Sequence, residues 1–504
     1  MESSRRDVLM QAAWLAGASL TPAWGQAVAG APRFASYPFS LGVASGDPAP
    51  DGMVLWTRLA PQPLAPDGGM TPEAVTVGWE VAEDEGFRRI AAKGRALAEP
   101  QAAHSIHVDV AGLQPGRSYF YRFHAGGETS PVGRTRTAPA PGAEVSALRY
   151  AFTACQHYET GLYAGYRQMV ADDPELIFFL GDYIYERAPR EGLPRQHNPE
   201  IPVDLPTYRQ RIALYKTDKD LQAAHAAAPW LVIWDDHEVR NNYGGEHPFE
   251  GLTLQAYLAR RAAAYQAYYE HMPLRRRAKP VGPTAEIYRT LDWGRLAQFQ
   301  LLDGRQYRDP PLLRGDEAER LDPARSMLGA RQEAWLMERL GASPAHWNVL
   351  AQQFMMGEAR RPDPKTGAVK YSFDGWDGFP AARDRVLARW RDAKVSNPMA
   401  IGGDSHAFIA SDLAIGPEGA VIAPAFVGGS MSSGAGGDFP AMVAASPRVR
   451  FGESTKRGYS IVDVDRNRSL VTMRAVADAT RADSATATLT QFVVENGVPG
   501  FRKA

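Results

Sequence analysis

Cysteine is almost missing from this chain: Cys155 is the only one in 504 residues. No intramolecular disulfide can form, so export through an oxidising route would gain no covalent staple. A redox cycle at the thiol would have no resolving partner within the chain. Net charge is almost missing too, at -1. That argues against a dedicated nucleic-acid-binding surface, which usually shows a basic surplus. Beyond the N-terminus there is no stretch of the roughly 18 apolar residues that a spanning helix needs. Core material, by contrast, is plentiful. The chain is 44% hydrophobic and 22% charged, the balance of a globular protein, and its length suggests more than one domain.

The N-terminus reads as an address. In "SSRRDVLMQAAWLAGASL" the pair Arg5 and Arg6 precedes a short, weakly hydrophobic stretch, and "GQAVAG" comes next with Ala27 and Ala29 as cleavage edges. The order of cation pair, apolar stretch and small-residue exit is that of a twin-arginine export signal over residues 1–29. The alternative is a short helix that happens to begin with two arginines. The expected handler is the twin-arginine translocation machinery, and the expected destination is the periplasm or the exterior.

Residues 36–138 read as all-β. "GMVLWTRL", "VTVGWEV" and "IHVDVAGL" alternate between Gly/Pro-rich breaks, and in "GLQPGRSYFYRFHAGG" a Pro-Gly turn leads into alternating Tyr119, Tyr121 and Phe123. This predicts an immunoglobulin- or fibronectin-like sandwich. A linker is expected around Thr137–Ala147. From 148 to 504 apolar β runs alternate with helical stretches, which predicts an α/β catalytic domain with sheets layered by helices.

The polar residues at the end of each apolar run carry the chemistry. "LRYAFTA" runs into Cys155-Gln156-His157, and "LIFFL" into Gly181-Asp182-Tyr183-Ile184-Tyr185. "LVIW" runs into Asp235-Asp236-His237-Glu238, "LAQFQLL" into Asp303-Gly304-Arg305, and "PMAIGG" into Asp404-Ser405-His406. Ligands of α/β sheets sit outside the carboxyl ends of strands. One polar arrival is a helix cap; five suggest one site. Thiolate, phenolate, imidazole and carboxylates together suit a hard or borderline cation beside a second, oxygen-ligated one. Singly, each residue has a plainer reading, such as Cys155 as a small core hydrophobe.

"GDYIYE" looks like the iron-binding motif of purple acid phosphatases. "DDHE" and "GDSH" stand where calcineurin-like phosphoesterases carry their later metal motifs, and "CQH" replaces their opening Asp-x-His. Together with "FSLGVASGDPAPDGMVLWTRL", "FFLGDYIYE", "WDDHEVRNNYGG", "DGRQYRDP", "DGWDGFPAAR" and "GGDSHAF", these stretches resemble the alkaline phosphatase D family over almost the whole mature length. The resemblance implies a metallophosphoesterase-type catalytic domain holding one Fe3+ and one or two Ca2+. It implies hydrolysis of phosphomonoesters and phosphodiesters by metal-activated hydroxide, on small molecules or on phosphodiester polymers and lipids. By motif, Cys155, Asp182, Tyr185 and His406 would surround iron. Asp182 would bridge to calcium, with Asp236 (or its neighbour Asp235) and Asp404 as further ligands. His237 would stand near the scissile phosphate, and Arg240 and Asn241 would hold phosphate oxygens or a metal. For Arg240 the alternative is an ion pair with Glu238 or Glu246. His157 copies the spacing of a metal-binding histidine, yet the resemblance requires no ligand there.

Two departures stand out. Family members usually place an acid before "FVGGS", where this chain has Ala425, and "ASPRVRFG" lacks an expected histidine. Calcium number and substrate range are what these changes bear on. Rival readings are a dedicated phosphodiesterase or phospholipase-type enzyme and a non-catalytic exported binding protein.

Overall fold

The run Leu176–Leu180 is buried along its whole length, which a strand achieves only when both faces of its sheet are covered. The computed structural model describes residues 32–312, 317–363, 365–434 and 439–504; the expected export signal lies outside them. Leu176–Leu180 pairs in parallel with Ala147–Thr153 on one side and Trp230–Ile233 on the other. These three strands form the middle of a ten-stranded mixed sheet. A second, seven-stranded sheet is built on the parallel strands Ala297–Leu301, Trp347–Ala351, Pro398–Gly402 and Ala423–Gly428. One hydrophobic cluster joins the two: Phe178 and Val232 from the first sheet, Phe299, Val349 and Met399 from the second. The Phe178 and Phe299 rings lie 4.8 Å apart.

Helices cover what the sheets leave open. Leu205–Lys216 starts at Asp204, whose carboxylate accepts the Thr207 amide in a reciprocal cap. Gly329–Ala342 and Pro380–Asp392 bury Leu336, Leu340, Leu387 and Trp390 against Leu350 and Ala400 of the second sheet. Among the described residues no helix is long and apolar enough to cross a membrane.

The N-terminal region is all-β, and its strands divide between two sheets. Val75–Ala82, Ile90–Ala98, Ser118–Ala125, Glu128–Thr129 and Gly133–Arg136 form a sheet of their own. Val43–Ala49, Gly52–Arg58 and Ser105–Val110 instead extend the ten-stranded sheet, joined where Gly46 pairs with Trp230. The two layers enclose a common core of Val43, Leu55, Ile106, Val77, Tyr121 and Phe123. The sandwich expected over 36–138 thus shares one layer with the rest of the chain. The join needs glycine at Gly46: a Cβ there would lie 2.4 Å from the Pro273 carbonyl oxygen and 2.7 Å from that of Trp230.

Candidate active site

The parallel strands of both sheets end at the same place. From the first sheet come Cys155, Asp182 and the Asp235–Glu238 turn; from the second come Asp303–Arg305 and Asp404–His406. The chain must turn sharply at these ends. Cys155, Asp182, Asp404 and His406 all adopt left-handed backbone, with φ of 56, 57, 58 and 51°. That conformation costs a residue with a Cβ about 1–2 kcal/mol, a strain that concentrates at functional sites.

Asp182 is the junction. One ligand atom each from Cys155, Asp182 and His406 lies within 4.8 Å of the others, and so does one each from Asp182, Asp236 and His237. Asp235, Asp236 and Asp404 form a third such group. Tyr185 donates its hydroxyl to Asp182 Oδ2 at 2.7 Å and stands 2.9 Å from His406 Nε2. The opposite nitrogen of that ring, Nδ1, donates to the Gly434 carbonyl at 2.8 Å, which leaves Nε2 with its lone pair toward the cluster. The six metal-ligand candidates are therefore brought together, and His237 with them.

The pair Asp235 and Asp236 divides its work. Asp235 is tied to the Arg305 Nε. Asp236 accepts the His237 amide at 3.0 Å and the Asn242 amide at 2.5 Å, with a carboxylate oxygen toward Asp182 and His237. Arg240 forms neither of the ion pairs that stood as the alternative for it. Glu238 is buried against backbone amides, Glu246 pairs with Arg261, and the Arg240 guanidinium lies 4.2 Å over the Phe249 ring. Asn241 is exposed, with its Oδ1 3.2 Å from Arg187.

Several residues that matter here do not stand out in the sequence. Glu238 accepts amides from both acidic loops: Asp182 at 3.1 Å, Tyr183 at 2.5 Å and Asp235 at 2.6 Å. Glu186 holds His237 Nδ1 at 2.6 Å. Ser433 lies 2.8 Å from the Tyr185 hydroxyl and 2.8 Å from the Cys155 carbonyl. Arg305, fully buried, bonds Asp374 at 2.8 Å and stands 3.6 Å from Asp236 and 3.5 Å from Asp404. These residues sit in or beside the polar motifs at the strand ends, but spacing does not show which way a side chain turns.

The electrostatics call for cations. Among the described residues, Asp182, Asp235, Asp236, Asp374 and Asp404 crowd one space, where the guanidinium groups of Arg305 and Arg308 pair with Asp235, Asp374 and Asp404. Burial, with Asp374, Asp236 and Asp182 nearby, pushes the Asp404 carboxyl up to about 7 against the pull of Arg305. Burial and the Asp182 charge push the Cys155 thiol and the Tyr185 phenol up as well. His237 goes the other way: burial favours its neutral form, but Asp236, Asp182 and Glu186 outweigh it and raise it to about 10. Positive ions at this place would reverse the penalty on every one of these acids. A set of sulfur, phenol, imidazole and carboxylate donors fits that need.

Known proteins resemble this chain in sequence and in structure. The PhoD-like phosphatase family matches residues 150–473, and the PhoD-like phosphatase N-terminal domain matches residues 25–139. Alkaline phosphatase D of Bacillus subtilis (strain 168) is 44% identical over 526 residues, covering 99% of this chain and 89% of that protein. A solved structure described as "Structure of PhoD" is 44% identical and superposes with a TM-score of 0.89, covering 94% of this chain and 93% of that one. Sequence and structure agree over nearly the whole length: the chain belongs to the PhoD-like phosphatase family and is a phosphoric ester hydrolase.

Proposed function

We propose that this chain is an exported, metal-dependent phosphatase acting on both phosphomonoesters and phosphodiesters, with a β-rich N-terminal domain over 36–138 and a metallophosphoesterase-type catalytic domain over 148–504. The observation that carries it is the double membership of Asp182, which groups with Cys155 and His406 on one side and with Asp236 and His237 on the other. One carboxylate between two donor groups is what a pair of neighbouring cations requires. Cys155, Asp182, Tyr185 and His406 would hold ferric iron; Asp182, Asp236 and Asp404 would hold calcium. When bound, the ions supply Lewis-acid charge for the attacking water and the phosphoryl oxygens.

The chain's own groups do the rest. Glu186 fixes His237 Nδ1, so Nε2 is the nitrogen that passes a proton to the leaving oxygen. Ser433 and Asp182 orient the Tyr185 hydroxyl. Arg305 steadies Asp235, Asp374 and Asp404. Arg240 and Asn241, beside the His237 turn, would meet phosphate oxygens. Ala425 packs with Leu350, Ala400 and Leu413 in the core behind the second sheet, so an acid lost there changes packing on the helix side. The twin-arginine signal over 1–29 would carry the folded protein to the periplasm or beyond.

Elemental analysis of the exported protein, purified without added metal or chelator, tests the reading. Iron near one per chain together with calcium supports it. Zinc alone, or no iron, sinks the thiolate–phenolate site. Rates on matched mono- and diester chromogenic substrates then separate the general phosphatase from a dedicated phosphodiesterase.

A further inference from the structure

A cleft of about 530 Å³ opens between the last turn of the helix Pro380–Asp392, the loop after Phe408–Leu413 and the turn after Thr486–Glu495. That is the size of a small-molecule site. Its apolar wall is aliphatic apart from Trp390: Val395, Ile415, Ile422, Val494 and Val498 line it. The strand Pro398–Gly402 starts at this cleft and ends before Asp404. Its length, roughly 15 Å at about 3.3 Å per residue, separates the cleft from the acidic cluster.

The polar groups along the cleft differ in what they have left to offer. Asn397 Oδ1 accepts the Gly497 amide at 2.7 Å, and Asn496 Oδ1 accepts Asn397 Nδ2 at 2.9 Å. Ser396 Oγ donates to the His346 carbonyl at 2.9 Å and accepts Asn397 Nδ2 at 3.3 Å. At the helix end the carbonyls of Arg389, Trp390 and Arg391 accept the amides of Ala393, Val395 and Lys394. These acceptors are spent, and what remains is donors: the Lys394 ammonium, the Asn496 NH2 and the Trp390 indole N–H, which is buried without a partner. Among the described residues no Asp or Glu lines the cleft. Arg391 is held by Asp392 at 2.7 Å, whereas no ion pair holds Lys394. Lys394 closes the helix in left-handed backbone, with φ of 52°, a place that glycine usually takes.

We propose that this cleft binds one amphipathic carboxylate, a fatty acid of medium chain length, with its head at Lys394 and Asn496 and its chain along the aliphatic wall. Charge and hydrogen bonding both select the head. An ionised carboxylate only accepts, and here it meets donors, one of them charged. An amine would find these side-chain acceptors already taken. The wall selects the tail, because an acyl chain leaves water for an apolar surface of its own kind.

Equilibrium dialysis of the holoenzyme against dodecanoate, kept below the concentration at which it forms micelles, tests the site. One dodecanoate per chain is the expected result. Affinity should fall about tenfold or more in Lys394→Met, and by a similar factor when dodecanol replaces dodecanoate. Ala420→Trp, which puts an indole on the exposed lip of the cleft, should abolish binding. Lys394 and Ala420 are exposed and remote from Asp404, so unchanged turnover shows that both variants are folded. Absence of saturable binding overturns the site. So does equal affinity for dodecanol, and so does binding that both variants retain, which would place the carboxylate elsewhere on the chain.

Discussion

Asp182 presents its two carboxylate oxygens to different neighbours, Oδ2 to the Tyr185 hydroxyl at 2.7 Å and Oδ1 to the His237 amide at 3.3 Å. Asp182→Asn keeps the shape, removes the charge and points an amide donor at one of these donors. We expect turnover to fall by about 10²–10³-fold or more and ion content to fall with it; normal turnover would refute the shared position. Glu238 holds the two acidic loops together from behind. Glu238→Gln turns an NH2 against backbone amides, a loss of about 1–3 kcal/mol that urea unfolding would read; an unchanged midpoint would make the contacts incidental. Cys155, Asp182 and His406 were legible in sequence because each comes after an apolar strand. The roles of Glu238 and Arg305, which also follow apolar runs, were not, because a side chain that faces backbone amides or buried acids and one that faces an ion or substrate are written with the same letter.

At the scale of the element, the runs that spelled strands did form them. Leu176–Leu180 and Trp230–Ile233 are buried throughout, and such runs need no partner to be recognised. The helix Pro380–Asp392 was harder to see: Ala382, Val386, Leu387 and Trp390 are its buried stripe, but arginines interrupt it in the sequence. Sheet membership was not legible at all, since pairing between distant strands leaves no local mark. The turn after Leu176–Leu180 shows how element and site are coupled. Gly181 has φ of 107°, and a Cβ there would sit 2.4 Å from that of Asp235. Gly181→Ala should therefore cost about 1–3 kcal/mol from backbone strain alone, and push apart the loops that carry Asp182 and Asp235. A thermal melt and a turnover assay check both; a variant that matches wild type in each would mean the turn tolerates the shift.

At the scale of the molecule, the N-terminal strands grip the end of the helix Leu254–His271. Trp56 donates its indole N–H to the Glu270 carbonyl at 2.9 Å. Arg58 donates to His271 Nε2 at 2.7 Å while His271 Nδ1 donates to Ala267 at 2.7 Å, so this ring must be neutral. Burial, then the Arg58 charge, hold it well below its ordinary 6.5. His107, bonded to the Tyr269 and Met272 carbonyls at 2.9 Å each, is lowered by burial from 6.5 to about 4. A histidine depressed in the fold is protonated first in the unfolded chain. Its contribution is complete above pH 6.5 and is lost as pH falls from there toward the folded value. Melting temperature should drop as the medium is taken from neutral down toward that value, and less steeply in His107→Gln, which keeps the donor without the titration. Identical slopes would remove the histidine from the effect.

The order of strands in the large sheet has its own consequence. Arg457–Asp465 pairs with Ala147–Thr153 across some three hundred positions of chain, and the last strand, Arg502–Lys503, forms one edge while Ser105–Val110 forms the other. During synthesis the central strands emerge early and wait with an open edge until Arg457–Asp465 has been made. Contacts this distant form slowly, and exposed edges in the interval invite aggregation. The nascent chain thus carries that open edge through most of its synthesis, and pairing of Arg457–Asp465 is the event that closes it.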